Sequence, residues 1–219
     1  MIIQEIYKKF NIPPNLQQHM LRVAAYAKLI INNFNNSNLI SSHIILNSCL
    51  LHDLGNIIKF DFDNFPELLG AEEKNIEYWK KVKTAMIYKY GNDEDIATVE
   101  MVNGLNVSPE VLFIVKNWGF KNFKRIAESD NWNWKIAVYS DHRISPIGVV
   151  TLQQNLENKQ KRYKLSKQNA SHLSEQANEL FNSATQIEQE IMKNSLINLH
   201  TIDTIRVDNL TKELLNQPI

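Results

Sequence analysis

Cysteine is almost missing from this chain: Cys49 stands alone among 219 residues. A lone thiol closes no internal disulfide, which excludes a disulfide-stapled secreted scaffold and points to a reducing cytoplasm. Net charge is missing too, since 24 Lys and Arg balance 24 Asp and Glu. A neutral total offers no broad field for nucleic acid or an anionic membrane, so nucleic acid is not an expected partner. No uninterrupted apolar run approaches the roughly 20 residues that span a bilayer. The amino terminus lacks a charged start followed by an apolar stretch, so neither a secretory leader nor a membrane partner is expected. With six glycines and six prolines the chain is also poor in turn formers, which argues against a fold of many short strands.

What is present is helical spacing, with hardly any strand-like alternation, and the expected class is all-α. Residues 2–10 form a short first helix. After Pro13-Pro14-Asn15 a second helix runs to about Phe34, with Leu16, Met20, Val23, Ala27, Ile30 and Ile31 along one face. Ser41 or Ser42 caps a third, which carries Ile45, Cys49 and His52 on one side and ends near Gly55. Residues 56–70 look irregular, and a helix over 72–90 is stopped by Gly91. Asp93 starts the next, to Asn103-Gly104, and Ser108-Pro109-Glu110 combines a capping hydroxyl, a first-turn proline and an acid at the positive dipole end. A further helix covers 132–143, followed by a turn at Ser145–Gly148.

From Thr151 the chain turns polar, with a thin apolar stripe through Leu152, Leu156, Tyr163, Leu173, Leu180, Ile187 and Ile191. Such a stripe predicts long helices lying on the bundle or on a second subunit, so a homo-oligomer through these helices is one expectation. A last short helix occupies 203–216. The expected division is a domain over 1–150 and a helical extension over 151–219.

The residues with chemistry centre on Cys49-Leu50-Leu51-His52-Asp53-Leu54-Gly55, where an apolar helix runs out into glycine. A His-Asp pair arises by chance in roughly a quarter of chains this long at average residue usage, so the pair gains weight from its surroundings. His19 lies at the edge of the buried face of the second helix. Asp141, in Val138-Tyr139-Ser140-Asp141-His142, follows Ala137 by one turn and also faces inward. Two imidazoles and two carboxylates from three helices make a mixed nitrogen and oxygen set that suits a divalent ion such as Mn²⁺, Fe²⁺, Co²⁺, Ni²⁺ or Zn²⁺.

In that order of ligands, and in the segments His19-Met20-Leu21-Arg22-Val23-Ala24 and Leu50-Leu51-His52-Asp53-Leu54-Gly55, the chain resembles the HD superfamily of metal-dependent phosphohydrolases. The resemblance covers about residues 14–145. It implies a compact HD-type helical bundle over 1–150, with additional C-terminal helices that the likeness does not explain. It also implies that His19, His52, Asp53 and Asp141 hold the metal. Binuclear relatives carry further histidines in the middle of the domain, whereas this chain has none between Asp53 and His142. The implied cofactor is therefore one divalent ion, of the series Mn, Fe, Co, Ni, Zn or Mg. Asn56 stands where relatives often place a lysine or an acid that assists catalysis. Asp53 itself, or Asp61, Asp63, Glu72 or Glu73, is then left to act as base.

The activity so implied is hydrolysis of a phosphate ester in a small phosphorylated compound, with a nucleotide as the expected substrate, by a metal-activated water. Arg22, one turn beyond His19 on the same helix, is the expected phosphate-binding residue. Lys59 and Arg143 are further candidates. His142 should point about 100° away from Asp141 along the helix and serve the core. Trp118, Phe120, Phe123, Trp132 and Trp134 read as core or subunit interface more readily than as a surface for stacking a base. Two other readings stand beside the enzyme. One is a metal-containing regulatory module that binds a nucleotide without turning it over, which Asn56 favours. The other is a metal-free helical interaction protein working through residues 152–194.

Overall fold

A computed structural model of the chain describes residues 1–155, 157 and 172–219. Its helices are α1 (Ile3–Lys9), α2 (Pro14–Ile31), α3 (Ser42–Leu51), α4 (Ile76–Tyr90), α5 (Glu94–Asn103), α6 (Pro109–Lys116), α7 (Phe123–Glu128), α8 (Trp132–Asp141), α9 (His172–Lys193) and α10 (Thr204–Leu214). The class is all-α; among the described residues the one sheet is a ribbon in which β1 (Ile144–Ser145) pairs antiparallel with β2 (Gly148–Val149). Among the described residues, no helix is long and apolar enough to cross a membrane.

Local chemistry sets half of these helix starts. Ser41, Asp93, Ser108, Asn131 and Asp203 each accept the backbone N–H of the third residue onward, opening α3, α5, α6, α8 and α10. Pro109 takes the first helical position of α6, where its missing N–H leaves no bond unmade. The expected helix over 72–90 is divided: a 3-10 stretch over Pro66–Asn75, broken at Gly70 with φ 56°, leads into α4. Helix α2 stops at Ile31 rather than Phe34, and Phe34 instead bridges to Ser195. Helix α7 was not expected; its six residues are too few for a periodic pattern to stand out.

Helix α2 is the axis of the bundle. Val23, Ala24, Ala25, Tyr26 and Ala27 are all buried, so helices enclose it on several sides rather than along one stripe. Helices α3 and α8 pack on it and on each other, and α10 covers a further flank. The three alanines allow these close approaches, because a helix surface without long side chains leaves room for its neighbours' ridges.

The C-terminal helices lie against the bundle of their own chain. Helix α9 packs on α7 and α8, with Ala184, Ile187 and Ile191 buried. It is tied down by Lys135 to Glu190 and by Tyr139 Oη donating to Glu188 at 2.6 Å. Helix α10 is held to α2 by Arg22–Asp208 and by Lys28–Glu213 at 2.9 Å. Of the expected apolar stripe, Leu156 and Tyr163 lie outside the described residues, and Leu173 falls in α9. The two ends of the chain meet where Ile3 N–H donates to Gln217 O at 3.0 Å and Ile219 N–H to Met1 O at 3.0 Å.

Candidate metal centre

The ends of α3 and α8 arrive side by side on α2, and that convergence builds the site. Cys49 in α3 ties them, its buried Sγ lying 3.9 Å from Ala137 O in α8. Burial and the nearby Asp141 push the Cys49 thiol well up, so it packs as a neutral, unreactive group. Tyr7 Oη donates to Leu50 O at 2.9 Å and satisfies a carbonyl in the last turn of α3.

His52 is the residue that ends α3, still in helical conformation, and 1% of its side chain is exposed. Its Nδ1 lies 2.8 Å from Cys49 O. A carbonyl only accepts, so Nδ1 carries the proton and, in the neutral ring, Nε2 presents a bare lone pair. That Nε2 is buried and has no hydrogen-bond partner among the described residues. It points toward His19, Asp53 and Asp141. His52 Nε2 is 3.5 Å from Asp53 Oδ2 and 3.7 Å from Asp141 Oδ1. His19 Nε2, from α2, is 3.7 Å from Asp53 Oδ2 and 3.1 Å from Asp141 Oδ1. Ligand atoms of His19, His52 and Asp141 all lie within 4.8 Å of one another. Asp53 approaches both imidazoles from beside that tight group.

The electrostatics follow from two acids beside two imidazoles. Burial alone would lower the His52 pKa, but Asp53 and Asp141, together with the Cys49 carbonyl, raise it to about 9. Burial likewise opposes ionisation of Asp141, yet His19, 3.1 Å away, and the charge of His52 hold its carboxyl well below the usual range. The group is thus negatively biased and desolvated, a setting that a divalent cation neutralises. The donors fit such an ion: imidazole nitrogens, carboxylate oxygens and one buried nitrogen with nothing else to bind.

Gly55 contributes by what it lacks. Its conformation is ordinary helical backbone, with φ −86°. A Cβ there would lie 2.6 Å from Glu94 O and 2.9 Å from Thr98 N. Glycine therefore lets α5 press on the turn that carries His52 and Asp53, and Thr98 Oγ1 accepts the Gly55 N–H at 2.9 Å.

The three expected substrate residues, Arg22, Arg143 and Lys59, have partners of their own in the fold. Arg22 makes a two-pronged pair with Asp208 of α10, Nε to Oδ1 at 2.7 Å and Nη2 to Oδ2 at 3.0 Å, while Nη1 donates to Pro146 O at 3.2 Å. It lies one turn from His19 on α2, and three of its five N–H groups are used, two of them on α10. Arg143, 2% exposed, donates to Val150 O, Tyr139 Oη and Glu188 and is part of the core. Lys59 is 49% exposed and sits 3.8 Å from Glu94 on the surface. Among the candidate bases, Asp61 is bonded by Asn64, Asp63 by Lys80 at 2.7 Å, and Glu72 by Asn75 at 2.8 Å. Asn56 is buried, with its backbone N–H on Asp53 O at 3.0 Å.

His142 is buried between the rings of Phe120 and Phe123, with Nδ1 3.1 Å from Val138 O. Trp118 belongs to the site, although the sequence reading left it among the core aromatics. Its indole stacks on the His52 ring, centroids 4.4 Å apart and planes 18° from parallel, and its Nε1–H donates to Asp141 Oδ2 at 3.4 Å. A tryptophan 66 residues after His52 and 23 before Asp141 gives no local signal of either contact.

A family model for the HD domain matches residues 16–131, more than half of the chain. The matched span includes His19, His52 and Asp53 and ends before Asp141, whose place beside them is seen in the geometry. No curated protein and no solved structure matches the chain.

Proposed function

The chain belongs to the HD-domain family, and from that premise we propose that it is a divalent-metal-dependent phosphohydrolase. Its substrate in this reading is a phosphate ester of a small phosphorylated compound, a nucleotide by likeness to the family, and it works in a reducing cytoplasm. The observation that carries the proposal is the buried, unpartnered Nε2 of His52, aimed at the same point as His19 Nε2 and Asp141 Oδ1. Leaving a buried nitrogen unpaired costs about 1–3 kcal/mol, a cost that a bound cation removes.

His19, His52 and Asp141 would hold the ion, with Asp53 as the fourth donor. When bound, a divalent ion there supplies Lewis acidity toward a phosphate oxygen and toward the attacking water. Asp53 has a second oxygen with which to accept the proton that the water gives up. The Cys49 carbonyl holds one His52 proton on Nδ1, so that Nε2 is the nitrogen that would donate a lone pair once an ion displaces the proton there. Burial of His52 keeps bulk water from that side of the centre and strengthens each charge interaction there.

One observation favours a second reading, a metal-containing module that binds a nucleotide without hydrolysing it: Arg22 and Arg143 are both engaged within the fold, and Asn56 brings no acid or base. A single experiment addresses both. Protein purified without chelators is analysed for metal, then incubated with nucleoside mono-, di- and triphosphates and added Mn²⁺ or Co²⁺. Retention of about one ion per chain with phosphate release, both abolished by Asp53→Ala, is the expected result. Retained metal and nucleotide binding without release replaces the enzyme by the module. A chain that retains no metal, or an Asp53→Ala variant as active as the parent, overturns the proposal.

A further inference from the structure

We propose that Trp118 is the positioning residue of the metal centre, holding His52 and Asp141 in register through the two faces of its chemistry. The inference rests on the metal reading above and says how this chain orients its ligands.

The tryptophan is itself held. It lies two residues beyond α6, where its backbone N–H donates to Val115 O at 3.2 Å. Asn122 Nδ2 donates to the carbonyls of Asn117 and Trp118, at 2.9 and 3.2 Å, and closes the loop on itself. Gly119 follows with φ 104°, a conformation that a residue with a side chain rarely adopts, and this turns the chain away immediately after the indole.

From that fixed base the side chain reaches two ligands that come from different helices. Against His52 it offers a flat face, while His19 meets the same ring edge-on with centroids 5.4 Å apart. With Nδ1 bound to the Cys49 carbonyl, the imidazole has little freedom to rotate, and Nε2 is kept on the shared point. Against Asp141 it offers its N–H. That bond occupies Oδ2 and leaves Oδ1 turned to His19 and His52 at 3.1 and 3.7 Å. The indole thus fixes the carboxylate through one oxygen while the other faces the two imidazoles. Partners behind the ligands of a metal site typically change its affinity by about 10–100-fold when removed.

Two variants separate the contacts. Trp118→Phe keeps an aromatic face for His52 and removes the N–H; Trp118→Leu removes both. Cobalt is the probe, because its visible bands report ligand geometry and it quenches a nearby indole. Affinity for Co²⁺ should fall about 10–100-fold in Trp118→Leu and by a smaller factor in Trp118→Phe, with shifted cobalt bands in both. Cobalt should quench tryptophan emission in the parent. Most of that quenching should vanish in Trp118→Phe, where Trp79, Trp132 and Trp134 still emit. A urea midpoint equal to the parent's in Trp118→Phe, beside altered bands, separates positioning from loss of the fold. Parent-like affinity and bands in Trp118→Phe overturn the proposal while leaving the metal reading intact. A parent protein that binds no cobalt overturns both.

Discussion

Replacing Gly55 by alanine should damage this protein well beyond what one methyl group suggests. The added Cβ would sit 2.6 Å from Glu94 O and 2.9 Å from both the backbone nitrogen and the hydroxyl of Thr98, where ordinary contact begins at 3.4 Å. Two of these three atoms are backbone of α5, so no rotamer change relieves the clash. The first turn of α5 has to retreat by about 0.8 Å, the difference between the closest approach and ordinary contact. Overpacking of this kind costs about 1–3 kcal/mol. The retreat also lengthens the bond from Gly55 N–H to Thr98 Oγ1, now 2.9 Å and buried, whose loss adds about 1 kcal/mol. The sum is about 2–4 kcal/mol, or a fall of about 1–2 M in the urea midpoint at an unchanged slope of about 2 kcal/mol/M.

Urea unfolding of ion-free protein followed by far-UV circular dichroism measures this directly. Two companion variants divide the effect. Thr98→Val removes the acceptor without any clash and should cost about 1–3 kcal/mol, because a buried N–H is left unpaired. Thr98→Ser keeps the hydroxyl and should lie within about 1 kcal/mol of the parent. Because the displaced turn carries His52 and Asp53, Gly55→Ala should also weaken metal retention at urea concentrations where it is still folded. A Gly55→Ala protein within about 0.5 kcal/mol of the parent refutes the reasoning, since that is the range of an indifferent surface change.

Glu188→Ala should destabilise the fold by about 3–5 kcal/mol in a thermal or urea melt, because it strands the buried Arg143 guanidinium, now 3.0 Å from that carboxylate. Arg22→Ala and Asp208→Ala should each lower stability and leave metal content unchanged. A double-mutant cycle between them should return a coupling of about 1–3 kcal/mol, and additivity would show the pair to be idle. Affinity for a divalent ion at fixed free concentration should rise about tenfold per pH unit between pH 7 and 9 and then flatten, because the ion displaces the proton of His52, whose pKa stands at about 9. Without metal the sign reverses: the raised pKa of His52 supports folding fully below about pH 6.5, and that support is lost as pH climbs through about 9.

How much of this was legible before any coordinates depends on the range of the interaction concerned. Helix starts were legible because a cap is a matter of three or four consecutive residues. Ser108-Pro109-Glu110 and Asp93 name their helices without reference to anything else, and the structure bonds both side chains to the expected N–H. The pair His52-Asp53 stood out for the same reason, an apolar helix end and a glycine being adjacent in the chain. What the adjacency does not show is the use of that glycine: His52 and Gly55 are both in helical conformation, and the missing Cβ serves a neighbour, α5, some forty residues away.

Side-chain allegiance was the part that local spacing could not supply. Arg22 lies one turn from His19, and a helical spacing of three does make them surface neighbours. Spacing says nothing about which way a long, flexible guanidinium turns, and Asp208, 186 residues on, offers a two-pronged partner that solvent does not. Arg143 went the same way: adjacent to Asp141 in the chain, it is drawn into a buried cluster with Tyr139 and Glu188. Both pairings have one physical origin: the polar C-terminal segment folds back on the bundle and supplies the carboxylates, Asp208 and Glu188, that these basic residues meet. Trp118 is the converse case, a residue assigned to packing that meets His52 and Asp141 at once. The loop after α6 thus reaches the centre directly, whereas α10 steadies α2 through Asp208 without touching the centre. Variants at Asp208 and Trp118 should be separable by that logic: the first loosens a helix and is read in stability, the second disturbs ligand geometry and is read in the metal.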